Sequence, residues 1–470
     1  MSVPAWVADA VFYHIFPDRF ANGDASNDPR GVQAWGAPPT IWGFQGGDLR
    51  GVLDHLDYLS DLGITALLFN PIFQASSNHR YNTTDYFHID PRLGTHEDFR
   101  AMLDAVHQRG MRIVLDGVFN HCGRGFFAFY DLMENESHSP YVDWFHVRRF
   151  PLHAYGAGEA ENYLAWWKFK SLPKFNTGNP KVRKYLIRVA THWIRQGIDG
   201  WRLDVPNEID DDSFWAEFRD AVKATNPDAY LVGEIWDGDP RWVSPRHFDG
   251  LLNYPLRDLI LGFVGGRGLK AGECGRRAVE LLERYAADNA FAHYLPLGSH
   301  DTERLRTMCG GDVRRVKLAF AFQFFYPGAP GIYYGDEIGL EGSKDPESRG
   351  AFPWDPSRWD AGLHQTVRDL IRLRRSRPVL RRGDFRLAAA DDGAGWLAFA
   401  RALGDERAVL VLNTSAQPAQ VRIPFVPAGL YEGRVLKGAL GGDAYRAKGG
   451  LLELALPAHG FEILLSGTPD

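Results

Sequence analysis

Gly-Trp-Arg-Leu-Asp, at residues 200–204, is a short strand-like run that ends in a carboxylate. Two further runs end in the same way, since Glu234 follows Leu-Val-Gly and Asp301 follows Leu-Gly-Ser-His. A fourth run, Ile-Val-Leu-Asp-Gly-Val-Phe-Asn-His at 113–121, precedes them. Short apolar strands that each deliver a polar group at the C-terminal end are typical of a (β/α)8 barrel active site. We therefore expect the three acids to lie at consecutive strand ends and to face one cleft.

The chain as a whole supplies enough alternating elements for a complete barrel. Eight strand-like runs lie at 11–17, 65–71, 112–121, 198–205, 229–236, 248–255, 293–301 and 329–337. Amphipathic helical patterns occur between them, at 49–62, 96–109, 180–196, 212–225 and 312–325. This alternation predicts parallel strands with helical crossovers. The predicted fold class is therefore α/β, a (β/α)8 TIM barrel.

Two segments depart from the repeating pattern. Residues 122–178 are rich in Phe, Tyr, Trp and His, and they are too many for a plain loop, so we expect an inserted domain that overhangs the mouth of the barrel. Beyond residue 387, short runs separated by Gly, Pro, Asn and Asp predict a C-terminal all-β sandwich. Those runs lie at 395–402, 408–414, 420–424, 429–435, 451–456 and 460–465. The predicted domains are the barrel at 1–121 and 179–386, the inserted domain at 122–178, and the C-terminal domain at 387–470.

Composition excludes several classes of function. The net charge of -6 over 470 residues gives no basic face for nucleic acid. One Arg-rich stretch, 372–382, is interpreted as the solvent face of a helix that buries Val367, Leu370 and Ile371. Neither a Walker-type loop nor a dinucleotide-binding glycine fingerprint follows a strand, which argues against nucleotide or redox chemistry.

The three cysteines, Cys122, Cys274 and Cys309, are too few and too scattered for a disulfide framework. Cys122 follows His121 directly, so it is either a catalytic thiol or, as its residue type favours, a small buried hydrophobe. The first six residues lack the basic start and apolar core of a signal peptide. No apolar run approaches the roughly 18 residues of a membrane span. We expect a cytoplasmic enzyme without a membrane partner.

The surroundings of the acids indicate different roles. Arg202 and Asp204 are two apart on a strand and so face the same side. A cation there lowers the pKa of Asp204 and keeps it ionised, as a nucleophile requires, although a structural salt bridge would give the same pattern. Apolar neighbours of Glu234 raise its pKa, as a general acid requires. Asp301 is a third acid that can bind substrate hydroxyls. This set is suited to retaining cleavage of a glycosidic bond.

These segments resemble the alpha-amylase family, glycoside hydrolase family 13, from about residue 11 to residue 337. The motifs that carry the resemblance are Asp-Gly-Val-Phe-Asn-His at 116–121, Gly-Trp-Arg-Leu-Asp at 200–204, Gly-Glu-Ile-Trp at 233–236 and Ser-His-Asp at 299–301. The resemblance implies that Asp204 is the nucleophile, Glu234 the acid/base and Asp301 the group that stabilises the transition state.

The same resemblance implies roles in substrate binding. Arg202 would orient the nucleophile, and His121 and His300 would bind hydroxyls of the sugar that is cleaved. Tyr81 would stack beneath that sugar. Ser299 departs from the Asn commonly found there, but the His-Asp pair that follows it is intact.

Further motifs are similar to those of neopullulanases, cyclodextrinases and maltogenic amylases. Leu-Pro-Lys-Phe-Asn at 172–176 is similar to their Met-Pro-Lys-Leu-Asn segment. Asp-Val-Pro-Asn-Glu at 204–208 is similar to a segment with Val-Ala-Asn-Glu, with Pro in place of Ala. This implies that Asn207 and Glu208 lie on the leaving-group side and influence bond and acceptor preference. Trp236, two residues after the acid/base, is also expected to bind substrate.

The segment Phe-Pro-Asp-Arg-Phe-Ala-Asn-Gly-Asp at 16–24, with Asn27 and Asp28, is similar to one that forms a calcium loop in the same enzymes. That loop is closed there by a Gly-Gly-Asp segment, here at 46–48, so the resemblance implies a calcium loop in this chain. Clustered Asn and Asp supply the hard oxygen ligands that calcium prefers. A polar turn rich in the same residues is the alternative. The expected ligands of a structural Ca2+, with no organic cofactor, are Asn22, Asp24, Asn27, Asp28, Gly46 and Asp48.

One departure concerns the start of the chain. The resembling enzymes usually carry an N-terminal β module that supports dimerisation and narrows the active site, whereas here the first barrel strand begins near Val11. We expect a monomer, with a cleft that is either more open or narrowed by the inserted domain.

We expect a retaining α-glucan hydrolase that cleaves mainly α-1,4 glucosidic bonds, with α-1,6 bonds as a secondary target. The expected substrates are maltooligosaccharides, cyclodextrins or pullulan, with transglycosylation as a side reaction. One alternative is an α-glucan glucosyltransferase on the same scaffold, which differs only in the acceptor of the glycosyl-enzyme intermediate. Another is a non-catalytic binding subunit of the same family, which the presence of all three acids argues against.

Overall fold

A closed barrel of eight parallel strands forms the centre of the computed structural model, which describes residues 3–466. Strands β1–β8 are Phe12–Ile15, Ala66–Phe69, Arg112–Gly117, Gly200–Leu203, Tyr230–Gly233, Gly250–Leu251, Tyr294–Pro296 and Ala329–Tyr333. They are ordered β6-β5-β4-β3-β2-β1-β8-β7, and a parallel bridge between Leu252 and Tyr294 closes the remaining gap. The predicted (β/α)8 fold is confirmed.

The observed strands are shorter than the predicted runs. The run predicted at 293–301, for example, is a strand only at Tyr294–Pro296. The residues beyond it leave the parallel ladder and carry polar side chains at the barrel mouth. The hydrophobic pattern therefore locates each strand but not its C-terminal end.

Helices surround the barrel and have local signals at their ends. Thr95 and Asp98 form a capping box at the start of one helix, and Gly197, with φ of 110°, ends another. The prediction of one helix at 49–62 is wrong, because the chain leaves helical geometry at His55. The main helices are Leu49–Asp54, Leu56–Leu62, His96–Gln108, Pro180–Gln196, Asp212–Thr225, Tyr254–Val264, Ala271–Glu283, Val313–Phe325 and Ala361–Ser376.

Several short elements complete the barrel. A hairpin of Phe73–Ala75 and Thr83–Ile89 follows β2. The shorter helices are Pro17–Phe20, Ala287–Ala290, Leu305–Met308 and Pro378–Arg382. Single 3-10 turns lie at Ala5–Asp9, Ala25–Asn27, Pro206–Glu208, Pro240–Trp242, Asp336–Ile338, Glu347–Arg349 and Pro356–Arg358.

The long segment after β3 forms a helix, Phe127–Asn135, and irregular chain that returns to the barrel. Isolated bridges join His121 to Lys174 and Phe145 to Phe175. Its 3-10 turns are Glu136–His138, Val142–Trp144 and Trp166–Lys168. The return of the 172–176 segment to the loop after β3 places it at the carboxyl ends of the barrel strands.

The C-terminal region is the predicted β-sandwich. Strands β9–β16 are Arg386–Asp391, Trp396–Leu403, Glu406–Asn413, Ala419–Pro424, Val435–Gly438, Ala444–Arg446, Leu451–Leu456 and Phe461–Ser466. They form a six-stranded sheet, β9-β10-β11-β16-β13-β14, and a two-stranded sheet, β12-β15, with an apolar cluster between them. The outer limits of the predicted domains, at residues 1 and 470, lie outside the described residues.

Two details of the C-terminal prediction are wrong. The strand predicted at 429–435 begins only at Val435, because the chain before it forms the helix Phe425–Ala428 and a turn at Gly429, with φ of 67°. Strands β9 and β14 were not predicted. Half-exposed alanines in β9 and the short length of β14 give little hydrophobic alternation.

The interpretation of the Arg-rich stretch is wrong in part. Val367, Leu370 and Ile371 are buried, as predicted, but Arg374 is buried as well. Its guanidinium donates to the carbonyl oxygens of Phe324 and Leu380, at 3.0 and 2.7 Å. Separately, none of the helices within residues 3–466 is long and apolar enough to cross a membrane.

The interior of the barrel is layered. A lower layer is apolar and includes Phe12, Leu68, Val114 and Val232. Side chains two residues farther along a strand point to the same side, one layer higher. The residues at those positions are polar and buried: His14, Asn70, Asp116 and Glu234. Because side chains alternate along each strand with a period of two residues, these polar groups lie together at the carboxyl end of the barrel.

Candidate active site

Arg202, on β4, is the centre of a buried cluster of carboxylates. Its Nη1 lies 2.8 Å from both carboxylate oxygens of Asp116 and 3.0 Å from Oδ1 of Asp204. Its Nη2 lies 2.6 Å from Oε1 of Glu234. The predicted nucleophile and acid/base therefore lie within the span of one guanidinium group. Asp116 was not among the predicted site residues.

The backbone after Asp204 contributes to the same cluster. Val205 has φ of 35°, in the left-handed region that a β-branched residue rarely adopts. Its N–H donates to Oε2 of Glu234 at 3.1 Å. The strained turn thus directs an amide at the second carboxylate, and strain of this kind is concentrated at functional sites.

Burial dominates the protonation of the two acids. Burial raises the pKa of Glu234 to about 7, against the lowering effect of Arg202. Burial also raises the pKa of Asp204, and the negative charge of Glu234 adds to the rise that Arg202 opposes. The predicted rise for Glu234 is therefore confirmed, while the prediction that Arg202 holds the pKa of Asp204 low is wrong. The reason is that burial outweighs the lowering effect of Arg202, and the neighbouring carboxylates of Glu234 and Asp116 add to the rise.

Asp301 lies beyond β7 and not on a strand adjacent to β5. The expectation of consecutive strand ends is wrong, because the short strand β6 intervenes. Nε2 of His300 lies 2.9 Å from Oδ2 of Asp301, and Nδ1 of His300 lies 2.9 Å from Nδ2 of Asn70. The amide of Asn70 can only donate there, which assigns the ring proton of His300 to Nε2.

The charge of Asp301 is stabilised by two cationic neighbours as well as by His300. Burial raises the pKa of Asp301, but His300, Arg349 and Arg202 together outweigh it and hold the pKa below its usual range. Arg349 approaches Oδ1 of Asp301 at 3.5 Å, and its Nε donates to the carbonyl oxygen of His300 at 3.0 Å. Asp301 is thus an ionised carboxylate next to the pair formed by Asp204 and Glu234.

Tyr81 lies against the same cluster. Its hydroxyl donates to Oδ2 of Asp116 at 2.7 Å and accepts from Nδ2 of Asn70 at 2.9 Å. Its ring is nearly parallel to that of His300, at 5.2 Å between centroids and 11° between planes. The loop of the hairpin, at residues 76–82, therefore places the flat ring of Tyr81 beside His300.

His121 offers an unused nitrogen to the cavity. Burial lowers its pKa to about 3, so the ring is neutral, and it stacks on Trp166 at 5.4 Å. Among the residues described, Nε2 of His121 is buried and has no hydrogen-bond partner. A buried polar atom without a partner is rare in a folded protein, and a substrate hydroxyl would satisfy it.

Three predicted substrate-binding residues lie farther out. Trp236 is 48% exposed, and its ring stacks on Tyr254 at 3.8 Å with 6° between planes. Asn207 is exposed in the turn after Val205, and Glu208 is half-buried, with Oε2 3.9 Å from Nζ of Lys174. Lys174 belongs to the 172–176 segment, so this segment and the 204–208 segment meet at one edge of the cavity.

The three cysteines are unpaired and buried. Burial raises the pKa of Cys122 well above its usual value, and its Sγ lies 3.9 Å from the carbonyl oxygen of Pro173. A thiol that stays protonated is a poor nucleophile. The interpretation of Cys122 as a small buried hydrophobe therefore fits the structure.

The residues of the predicted calcium loop come together. Asn22 Nδ2 lies 2.9 Å from Oδ1 of Asp28, and both atoms lie beside Gly46, where a Cβ would clash with them. Oδ1 of Asn27 is buried and unpaired in the described chain. These oxygens fit a hard cation, since an unpaired amide oxygen and a carboxylate face the same loop.

Asp48, in contrast, already has several donors. Its two carboxylate oxygens accept from the N–H groups of Gly23, Asp24 and Gly51 and from the side chain of Asn27. Within residues 3–466, no three His, Cys, Asp or Glu side chains converge as a metal site would require. Ligation here would therefore depend on amide and backbone oxygens in addition to Asp28.

Some residues of the cluster were missed by sequence reasoning. Asp116, Asn70 and His14 had a usable signal, because each lies two residues beyond an inward-facing apolar residue of its strand. Arg349 and Tyr254 gave no such signal. They reach the site from loops or helices whose positions are set by tertiary packing.

The sequence matches two known families. Residues 14–377 match the family described as Alpha amylase, catalytic domain, and residues 385–463 match Maltogenic Amylase, C-terminal domain. The chain is 46% identical over 460 residues to a cyclomaltodextrinase of Geobacillus thermopakistaniensis (strain MAS1), which covers 97% of this chain and 77% of that protein. It is 42% identical over 468 residues to neopullulanase 2 of Thermoactinomyces vulgaris, with 99% and 79% covered.

A solved structure is similar over the full chain. The cyclic alpha-maltosyl-(1→6)-maltose hydrolase from Arthrobacter globiformis, in complex with cyclic alpha-maltosyl-(1→6)-maltose, superimposes with a TM-score of 0.91 and 42% identity. The comparison covers 99% of this chain and 100% of that one.

Proposed function

The chain belongs to the alpha-amylase family of glycoside hydrolases, and we propose that it hydrolyses α-1,4 and α-1,6 glucosidic bonds of α-glucans with retention of configuration. The observation that carries the proposal is the shared contact of Asp204 and Glu234 with Arg202. Two carboxyl groups close together, with different environments, are the equipment of retaining cleavage. The proposed substrates are maltooligosaccharides, cyclodextrins and pullulan, as the names of the relatives suggest.

In the proposed mechanism, Glu234 begins as the protonated acid and gives its proton to the departing glycosidic oxygen. A proton on Glu234 removes the negative neighbour that raises the pKa of Asp204, and so favours an ionised Asp204. The Asp204 carboxylate attacks the anomeric carbon and forms a covalent glycosyl ester. Glu234, now ionised, takes a proton from water, which attacks the same carbon and releases Asp204.

The remaining groups bind and orient the sugar. Asp301 is ionised next to the reacting carbon and stabilises its developing positive charge. His121 and His300 bind hydroxyls of the same sugar, and the unpaired Nε2 of His121 supports its role. Tyr81 provides a flat ring beneath it. Asn207, Glu208 and Trp236 contact the leaving sugar.

The test uses a substrate panel with two variants. The wild-type protein is expected to release glucose and maltose from maltotriose and to cleave pullulan and cyclodextrins, with the α-anomer formed first in proton NMR. Asp204→Asn and Glu234→Gln should each lower kcat, by at least about a thousandfold and by about 100- to 10,000-fold respectively. Glu217→Gln, an exposed carboxyl on the helix Asp212–Thr225, is the matched control.

Two outcomes would overturn the proposal. If the variants at Asp204 and Glu234 hydrolysed maltotriose as the wild type does, these residues would not be the nucleophile and the acid/base. Products longer than maltotriose that dominate over glucose and maltose would show instead that sugar, and not water, is the main acceptor, which is the glucosyltransferase alternative.

We also propose a structural Ca2+ at the loop that contains Asn22, Asp24, Asn27 and Asp28, closed by Gly46 and Asp48. The orphaned Oδ1 of Asn27 and the approach of Asn22 and Asp28 to Gly46 support it. Millimolar Ca2+ is expected to raise Tm and a chelator to lower it. Asp28→Asn should abolish this response, while Asp57→Asn, at an exposed ion pair with Arg109, should keep it. Equal Tm with Ca2+ and with chelator in the wild type would contradict the site.

A further inference from the structure

Trp42 is a large aromatic residue with no structural role visible in the fold. It is 81% exposed, more than any other tryptophan of the described chain. Its indole makes no hydrogen bond or ring contact with the rest of residues 3–466. Single exposed apolar residues are common on protein surfaces. Exposure alone therefore does not assign a role, and the loop that carries Trp42 must be considered.

The backbone on both sides of Trp42 is held by buried side chains. Asn78, which is buried, donates to the carbonyl oxygens of Ile41 and Gly43 at 3.0 and 2.8 Å. Nη2 of Arg19 donates to the same carbonyl oxygen of Gly43 at 2.7 Å. Trp42 is thus presented to solvent from a fixed position, unlike a side chain on a mobile loop tip.

The same anchors connect Trp42 to the candidate active site. The second terminal nitrogen of Arg19, Nη1, donates to the carbonyl oxygen of Arg349 at 2.6 Å. Arg349 in turn contacts Asp301. Asn78 immediately precedes His79, whose ring stacks on Tyr81 at 5.9 Å. One guanidinium and one amide therefore link the loop that carries Trp42 to the segment of Arg349, which contacts Asp301, and to the segment of His79, which stacks on Tyr81.

The position of the loop in the barrel identifies the side of the cleft. Trp42 follows β1, and in a closed barrel of eight strands β1 lies opposite β5. Glu234 and Trp236 follow β5, and in the proposed function they contact the leaving group and the leaving sugar. The β1 side is therefore the side of the sugar units that remain on the enzyme after cleavage, toward the non-reducing end of the chain.

We propose that Trp42 is a platform on which a glucosyl unit of an α-glucan stacks, at least one unit beyond the sugar that is cleaved, toward the non-reducing end. This inference rests on the proposed function. A flat indole offers apolar area to the C–H face of a pyranose at little cost in conformational entropy. Because the platform is anchored, it selects substrates by the number of units on the non-reducing side.

The test compares two chromogenic substrates that differ only on that side. Release of 4-nitrophenol from 4-nitrophenyl α-glucoside requires no unit beyond the cleaved sugar, whereas its release from 4-nitrophenyl α-maltotrioside places two units there. Trp42→Ala should lower kcat/KM for the maltotrioside by about tenfold, equivalent to roughly 1.4 kcal/mol. It should change kcat/KM for the glucoside by less than about twofold, and Trp42→Phe should retain most of the maltotrioside activity.

A second exposed aromatic residue gives the matched control. Tyr431, which is 59% exposed in the C-terminal region, should be replaceable by Ala without effect on either substrate. Tm should be unchanged in both Ala variants. An equal loss on both substrates, or no loss on either, would overturn the role of Trp42 while leaving the proposed function intact. Failure of the wild type to release 4-nitrophenol from either substrate would instead count against the proposed function itself, and the inference would fall with it.

Discussion

At the scale of single residues, we expect the pKa of Glu234 to control the pH range of activity, because Glu234 is the proposed acid. Burial raises this pKa to about 7, and the acid is needed in its protonated form. The value of kcat/KM on maltotriose should therefore fall about tenfold per pH unit above pH 7. A profile of kcat/KM against pH measures this decrease.

A substrate with a better leaving group checks the cause. The fluoride of α-maltosyl fluoride leaves with little proton donation. The decrease of kcat/KM above pH 7 should therefore be much smaller with this substrate than with maltotriose. An equally steep decrease of kcat/KM above pH 7 with both substrates would show that a group other than Glu234 causes the decrease.

Glu337 is a second buried carboxyl, outside the active site. Oε1 accepts from the hydroxyls of Tyr13 and Tyr58 at 2.8 and 2.6 Å, and burial raises its pKa to about 7 against the lowering effect of these bonds. A raised pKa means that the folded state holds a proton that the unfolded state loses. Protonated Glu337 stabilises the folded state fully below about pH 4.5, the pKa of this group in the unfolded chain. This stabilisation, about 3 kcal/mol in total, is lost as the pH rises through about 7.

Replacement of this carboxyl by an amide should remove that dependence. Glu337→Gln is expected to lose less stability than the wild type between pH 5 and pH 8, as measured by urea unfolding. An identical change in the free energy of unfolding for both proteins would show that Glu337 does not titrate in this range.

At the scale of elements, Asp48 joins two segments at the start of the helix Leu49–Asp54. It caps this helix through the N–H of Gly51 at 2.6 Å and also accepts from the N–H groups of Gly23 and Asp24. Asp48→Ala would remove the cap and leave three further donors, the two N–H groups and the side-chain amide of Asn27, without their partner. We expect a loss of about 2 to 4 kcal/mol of unfolding free energy.

A simpler cap offers the comparison. Thr95 caps the helix His96–Gln108 within one exposed box, so Thr95→Ala should cost only about 1 kcal/mol. Chemical denaturation of both variants measures the difference. Equal losses would mean that Asp48 acts as a helix cap only.

At the scale of the whole molecule, a buried arginine joins the C-terminal sandwich to the barrel. Arg401, on β10, donates to the carbonyl oxygens of Phe325 and Gly383, at 2.9 and 2.6 Å, and also to that of Leu380. Arg374, on a barrel helix, donates to the same Leu380 carbonyl. Arg401→Met should cost about 3 kcal/mol or more, because buried carbonyl groups lose their donors.

The exposed Arg422 of β12, paired with Glu453, provides the control. Arg422→Met should change stability by no more than about 0.5 kcal/mol. Calorimetry should show one unfolding transition in the wild type and a separate, earlier transition of the C-terminal region in Arg401→Met. A single unshifted transition in that variant would contradict the coupling.

The amino-acid pattern alone predicted the barrel, the C-terminal sandwich and the positions of Arg202 and Glu234 near the carboxyl ends of their strands, whereas Asp116 was missed. The reason is local: a strand alternates its side chains with a period of two, so a polar residue two positions past an inward apolar one faces the barrel mouth. The signals at the ends of the helix Pro180–Gln196 are also local, since Asn179 caps its start and Gly197 follows its last residue. This helix was predicted with its observed bounds.

The way in which these groups affect one another depends on their packing in three dimensions. Burial, together with the neighbouring carboxylates of Glu234 and Asp116, reversed the expected pKa shift of Asp204. The burial of Arg374 contradicts part of the interpretation of the Arg-rich helix face. Arg349 contacts Asp301 from a segment 48 residues farther along the chain. The backbone around Trp42 is held by Arg19 and Asn78, which are distant in sequence. Electrostatic energy depends on distance and burial summed over all neighbours, and these are set by the packing of elements that sequence spacing does not specify.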